Sequence, residues 1–86
     1  MKEIEMKNLS SSQIKSIGYD IDLGDMYVEF HNGKVYKYVD VPEWTYNAFL
    51  KADSPGKFFH GEIKNQFDYE NVRSEVNKEK LILEEY

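Results

Sequence analysis

The chain of 86 residues contains no cysteine, only two prolines, two histidines and a single tryptophan. The absence of cysteine excludes disulfide bonds and every zinc site that is built on thiolates. No stretch approaches the roughly 18 apolar residues that a membrane-spanning helix needs, and the first residues lack the apolar segment of a secretory signal peptide. We therefore expect one domain in the reducing cytoplasm, without membrane attachment.

Little in the chain points to catalysis or to metal binding. A serine or threonine nucleophile needs a positioned base, and the two histidines are His31 and His60. They fall short of the three or four protein ligands that zinc usually takes, so we interpret both as solvated polar side chains. The acidic stretch from Asp20 to Asp25 has its glycine in the wrong place for a calcium loop and indicates a turn. The prediction is a non-catalytic protein without a metal or cofactor.

The clearest pattern in the chain is a β-hairpin, because two alternating apolar runs flank an Asn-Gly turn signal. A two-residue turn would place a lysine opposite Val28, in the apolar row. A three-residue loop with Gly33 in the left-handed conformation instead pairs Val28 with Tyr36 and Met26 with Tyr38. We favour this second register, because it gathers the apolar residues of both strands on one face of the sheet. A shift of one residue would move a whole strand to the other face.

Alternating apolar residues and helix start signals predict the remaining elements. The two helix starts are Pro42 and the Ser54-Pro55 pair, since proline is favoured at a first helical position. The predicted elements are strands at residues 14–20, 26–30 and 34–39, followed by helices at about residues 42–52 and 56–64. Together they form an antiparallel β-meander packed against two short helices.

The two ends of the chain carry weaker patterns. Residues 1–10 alternate faintly, and we interpret them as a flexible, frayed segment rather than an edge strand. Val72 and Val76 suggest a helix from about residue 70, whereas residues 80–83 fit a strand equally well. The predicted fold class is α+β: a three-stranded antiparallel β-meander on two short helices, with an additional C-terminal helix or strand.

A set of spaced residues runs through the predicted domain: Ser11-Ser12, Ile17-Gly18-Tyr19-Asp20, Val28-Glu29-Phe30, Asn32-Gly33, Val35-Tyr36-Lys37-Tyr38, Val41-Pro42, Tyr46, Phe49-Leu50, Ser54, Gly56-Lys57 and Phe59. In this order they resemble the KTSC family, small domains named for the C-terminus of certain lysyl-tRNA synthetases. The resemblance covers roughly residues 11–65 and implies a single-domain relative with RNA as the suggested ligand. We accordingly expect a flexible or edge N-terminus at 1–10, a KTSC-like domain at 11–67 and an acidic C-terminal extension at 68–86.

The hairpin register also sorts the residues that could bind a ligand. It places Tyr36 and Tyr38 in the core beneath the first helix, where large aromatic rings are buried. On the opposite face Tyr27 is the candidate for stacking on a nucleobase, with Lys37 beside it. Acidic residues of the C-terminal extension would block nucleic acid if they covered that face. The predicted binding residues are Tyr27, Lys37, Lys15, Lys57 and Lys64.

Charge and resemblance favour different partners. The net charge of −5 argues against a simple polyanion binder, although the charges in residues 41–67 sum to zero. There Lys57 follows the start of the second helix, where free amides are a plausible site for one phosphate. The resemblance favours a small non-catalytic module that binds RNA, such as tRNA. The acidic composition favours the alternative, a protein-interaction or homodimerisation module with no nucleic-acid binding.

Overall fold

The computed structural model describes residues 2–83, which build one antiparallel sheet of seven strands with two short helices against it. The strands are β1 (Lys2–Asn8), β2 (Ile14–Asp20), β3 (Asp25–Phe30), β4 (Val35–Tyr38), β5 (Tyr69–Val72), β6 (Val76–Asn77) and β7 (Lys80–Leu83). The helices are α1 (Glu43–Lys51) and α2 (Pro55–Phe58), and α2 continues into a π-helical turn at Phe59–Ile63. The strand order across the sheet is β5-β4-β3-β2-β1-β7-β6.

The sheet is curled, because its two outer strands are joined by a short piece of chain. Residues 73–75 connect β5 at one edge with β6 at the other. A segment of this length spans about 14 Å at most. Seven strands at a spacing of about 4.8 Å would place the outer strands of a flat sheet about 29 Å apart. The sheet must therefore bend until its edges approach each other.

Curling gives the sheet two separate apolar cores. The helix-side core lies between the sheet and the helices, and it contains Ile14, Ile17, Met26, Val28, Tyr38, Val41, Tyr46, Phe49, Phe59 and Ile63. The inner core lies on the concave face, and it contains Ile4, Met6, Tyr27, Val35 and Leu81, with Val72, Val76 and Leu83 packed against them. The inner core thus draws on the strands at both ends of the chain.

The hairpin has the predicted register. Val28 pairs with Tyr36 and Met26 with Tyr38. Gly33 has a φ of 89°, and the amide of Phe30 donates to the carbonyl of Lys34 at 2.9 Å. The three-residue loop is therefore confirmed, and with it the side of the sheet on which each aromatic ring of the hairpin lies.

Both ends of the chain differ from the prediction, so the three-stranded meander is only the centre of a seven-stranded sheet. The frayed N-terminus was wrong for residues 2–8, because β1 pairs with both β2 and β7 and buries Ile4 and Met6. The segment from residue 70 is not helical, since it forms β5 and β6, whereas the strand at residues 80–83 is confirmed as β7. The two terminal segments contain few apolar residues, and they form strands because these residues pack in the inner core.

Gly18 lets β1 approach β2 closely, since it stands opposite Met6 in the pairing of the two strands. A Cβ atom at position 18 would lie 2.5 Å from the Met6 sulfur and 2.7 Å from the carbonyl oxygen of Glu5. Both distances are shorter than real contacts, so the N-terminal strand requires glycine here.

We expect Gly18→Ala to lower the free energy of unfolding by about 1–3 kcal/mol, as overpacked core substitutions do. Gly61→Ala is the matched control, because a Cβ atom at Gly61 has no neighbour within 4 Å. That control should be neutral or more stable by up to about 1 kcal/mol, given the low helix propensity of glycine. Urea unfolding of both variants measures the difference, and equal midpoints would contradict the close approach of β1.

Charged side chains lie at one end of the inner core, where Asp20 and Asp25 face each other across β2 and β3. Burial alone would raise the pKa of Asp20, but the hydrogen bond and charge of the Lys2 ammonium, together with hydrogen bonds from the backbone amides of Asp22 and Leu23, outweigh burial, and the pKa is lowered. The Lys2 nitrogen lies 2.5 Å from the Asp20 carboxylate. Burial raises the pKa of Asp25, and Lys37 offsets this only in part. The two facing carboxyl groups therefore respond to folding in opposite ways.

We expect Asp20→Asn and Asp25→Asn to have opposite effects on stability at pH 7. A lowered pKa means that ionised Asp20 stabilises the fold above its ordinary pKa of 3.8, so its loss should cost about 1.5–3 kcal/mol. A raised pKa means that ionised Asp25 destabilises the fold, so Asp25→Asn should raise the free energy of unfolding.

For both variants, the difference in the free energy of unfolding from the parent protein should shrink as pH falls. The contribution of Asp20 is lost as pH falls from 3.8 through its lower folded pKa, and the penalty at Asp25 is relieved as pH falls through its raised folded pKa. Denaturant unfolding between pH 7 and pH 3 measures both curves. Two variants that change stability in the same direction would refute this assignment.

Candidate functional site

A cavity of about 220 Å³ opens between the sheet and the end of the π-helical turn. Five aromatic side chains line it together with Lys64 and Asn65; the aromatic residues are Phe30, Tyr36, Tyr38, Phe59 and Tyr69. This aromatic cavity is smaller than the roughly 300–1,000 Å³ of pockets that hold drug-sized ligands. Its size suits one flat ring system.

The five rings form a closed circuit in which each ring contacts two others. The contacts run from Phe30 to Tyr36, Tyr69, Tyr38, Phe59 and back to Phe30, with ring centroids 5.4 to 5.9 Å apart. Four of the five pairs meet edge to face, the geometry that the charge distribution of aromatic rings favours. The rings hold one another in place, so the cavity is preformed.

The five rings of the circuit differ in their exposure to solvent. Tyr38 and Phe59 are buried and also belong to the helix-side core, whereas Tyr69 is 62% exposed. Burial, with smaller contributions from the neighbouring Tyr69 and Tyr36, raises the pKa of Tyr38 to about 12. Tyr36 is half-buried. The exposed ring of Tyr69 therefore forms the accessible wall of the cavity.

Strand pairing and the π-helical turn bring these residues together. The hairpin register puts Phe30, Tyr36 and Tyr38 on the helix side, and β5 then places Tyr69 directly opposite Tyr38. On the helical side, the amide of Lys64 donates to the carbonyl of Phe59 at 2.8 Å, which closes the wide turn. Asn65 follows with a φ of 67°, a left-handed conformation that asparagine tolerates. Wide turns of this kind are common at functional sites.

Tyr27 does not offer a stacking surface, contrary to the sequence prediction. It is only 3% exposed in the inner core, where burial raises the pKa of its hydroxyl to about 12. Lys37 beside it is bound to Glu70 of β5, with 2.7 Å between the charged atoms. The acidic C-terminal strands thus cover the face on which nucleic-acid binding was expected.

The other predicted lysines are separated by the fold. Lys64 lines the aromatic cavity, whereas Lys15 and Lys57 are exposed and lie outside its lining. Lys15 is at the bulge of β2, and Lys57 is in α2, a helix of four residues. Any contact of Lys15 or Lys57 with RNA stays a prediction.

Sequence reasoning placed the Tyr-x-Tyr pair in the core and missed the cavity beside it. Tyr38 is buried as predicted, whereas Tyr36 is only half-buried and contributes to the cavity wall. The missing partner was Tyr69, which belongs to a strand that the local pattern did not indicate. The predicted turn at Asp20–Asp25 is confirmed by the hydrogen bond from the Gly24 amide to the Asp20 carbonyl.

Residues 2–83 contain neither a cluster of metal-ligating side chains nor a membrane-spanning helix. Among residues 2–83, no three histidine, aspartate or glutamate side chains come together as a metal site requires. In the same residues, no helix has the length and apolar character needed to cross a membrane.

Known proteins resemble this chain in sequence and in structure. The pattern of the KTSC domain matches residues 10–67. An uncharacterized protein from Stutzerimonas stutzeri is 41% identical over 58 residues, which make up 67% of this chain and 82% of that protein. The crystal structure of a KTSC domain protein from Yersinia pestis has a TM-score of 0.78 at 38% identity, covering 80% of this chain and 97% of that one.

A lysine–tRNA ligase from Nostoc sp. contains a similar segment. It is 36% identical over 61 residues, which make up 71% of this chain but only 11% of the ligase. The matched range of the KTSC pattern includes every residue that lines the aromatic cavity except Tyr69. The cavity thus combines the shared domain with one residue from the strands that follow it.

Proposed function

This chain belongs to the KTSC domain family, and we propose that it is a non-catalytic module that binds single-stranded RNA in the aromatic cavity. The observation that carries the proposal is the closed circuit of five rings with Lys64 at its edge. Flat, unpaired bases stack on protein aromatic rings irrespective of their sequence. A lysine beside such a cavity is placed to meet the phosphate of the same nucleotide.

Single strands fit this site better than duplexes do. A cavity for one ring can accept a base only when that base is free of its pairing partner. The net charge of −5 also disfavours tight binding through many phosphates. Stacking should therefore supply most of the affinity, with a minor electrostatic part from Lys64.

Two observations support a binding role over a catalytic one. The cavity lining offers aromatic rings, a lysine and an amide, without a nucleophile beside a general base. The hydroxyl of Tyr38 has its pKa raised to about 12 by burial, so it stays protonated near neutral pH. The similarity to a segment of a lysine–tRNA ligase, an enzyme named for its action on tRNA, supports RNA as the ligand.

We expect Tyr69→Ala to weaken binding of a short single-stranded RNA by about 1–3 kcal/mol, roughly 5- to 150-fold, since one stacking wall is lost. Trp44→Ala is the matched control, because Trp44 is also an exposed aromatic residue, at 73%, and does not line the cavity. Fluorescence anisotropy with a labelled oligonucleotide measures both affinities. Equal affinities in the two variants would exclude the cavity as the RNA site.

We expect RNA affinity to depend only weakly on salt, and Lys64 to account for that dependence. Removing one phosphate contact to a single strand lowers the slope of log K against log salt by about 0.7. Lys64→Ala should show this loss, and Lys51→Ala, which removes an exposed lysine of α1, should keep the parent slope. A steep slope that Lys64→Ala leaves unchanged would show that RNA binds elsewhere.

A second candidate function is protein binding or self-association, favoured by exposed apolar side chains away from the cavity. Ile21 is 68% exposed and Leu23 is 64% exposed in the turn after β2, in addition to Trp44 on α1. Light scattering distinguishes the two functions. A dimer that Trp44→Ala disrupts, together with no RNA binding at low salt, would replace the RNA proposal with this one.

A further inference from the structure

A second cavity of about 360 Å³ adjoins the aromatic cavity, and it contains both histidines of the chain. The two cavities share Phe30 and Phe59, whose rings meet edge to face with centroids 5.4 Å apart. These two rings form a ridge with one cavity on each side. The histidine cavity is completed by polar residues: Ser12, Gln13 and Asn32.

Hydrogen bonds hold both imidazole rings against the segment before β2. Nε2 of His31 lies 2.9 Å from the Ser11 carbonyl oxygen, and Nε2 of His60 lies 3.2 Å from Oε1 of Gln13. Both protein atoms are acceptors, so each Nε2 must carry the hydrogen. A neutral imidazole has one donor and one acceptor, which leaves Nδ1 of each ring as an acceptor outside these bonds.

The two adjoining cavities form one groove, and the charge differs between its two ends. Among the described residues, the lining of the two cavities includes the ammonium group of Lys64 but no carboxylate. Beyond the opposite end, a further cavity shares Asn65 and Tyr69 with the aromatic cavity and includes Asp68. A negatively charged strand is therefore favoured on the histidine side and disfavoured on the Asp68 side.

We propose that the RNA strand crosses the Phe30–Phe59 ridge, with one base in the aromatic cavity and the ribose of the adjoining nucleotide in the histidine cavity. This inference rests on the proposed function and adds a second subsite to it. Imidazole acceptors suit the ribose 2′-hydroxyl, which can donate a hydrogen bond and which DNA lacks. The smallest complete ligand is thus a dinucleotide, and it is RNA in preference to DNA.

The test compares three probes, AMP, the ribodinucleotide ApA and its deoxy form, by NMR titration of the backbone amides. AMP should shift signals of the aromatic cavity, and ApA should also shift those of Gln13, His31 and His60. ApA should bind about three- to tenfold tighter than its deoxy form, the worth of one hydrogen bond. Equal affinity for both dinucleotides would overturn the ribose subsite.

Variants of the histidines separate this inference from the proposed function. His31→Ala and His60→Ala remove both ring acceptors, and both side chains are exposed, so the combined variant should fold and lose the preference for ApA over its deoxy form without changing AMP affinity. Asn47→Ala, an exposed polar substitution on α1, is the control that should keep the preference. ApA shifts confined to the aromatic cavity would refute the second subsite alone. The absence of shifts there with every RNA probe would refute the proposed function as well.

Discussion

The pairing of Val28 with Tyr36 determines which side of the sheet each aromatic ring of the hairpin occupies. It sends Phe30, Tyr36 and Tyr38 towards the helices and Tyr27 into the inner core. A slip of one residue would exchange the two faces of a strand. The aromatic cavity exists only in the observed register, because the ring circuit needs all three helix-side rings of the hairpin. A choice of turn, made by Asn-Gly chemistry and the apolar row, therefore governs the site.

Local signals in the sequence were sufficient for the centre of the fold. The hairpin loop, the strand at residues 14–20 and both helix starts depend on nearby turn residues and on proline, so they could be predicted. The strands at the two ends of the chain depend on each other instead. β1 pairs with β7, which is about seventy residues away along the chain, and no local pattern reports such a partner.

The same distinction explains what was missed at the site. Tyr27 and Lys37 were assigned to an open face because nothing local shows that β5 delivers Glu70 to Lys37 and that the inner core closes over Tyr27. Tyr69 was not identified because it enters the cavity only through the pairing of β5 with β4. Lys64 is the predicted residue that the fold places at the cavity. The acidic C-terminal segment therefore closes one face and completes the site on the other.

The proposed RNA ligand is compatible with an acidic chain, since aromatic stacking needs little positive charge. The most direct measurement is the set of intermolecular NOEs between base protons and tyrosine ring protons in a complex with a short single-stranded RNA. The account predicts NOEs from one base to Tyr36 and Tyr69, with none to the buried ring of Tyr27. Contacts of the RNA bases with Trp44, or with any surface other than the aromatic cavity, would contradict it.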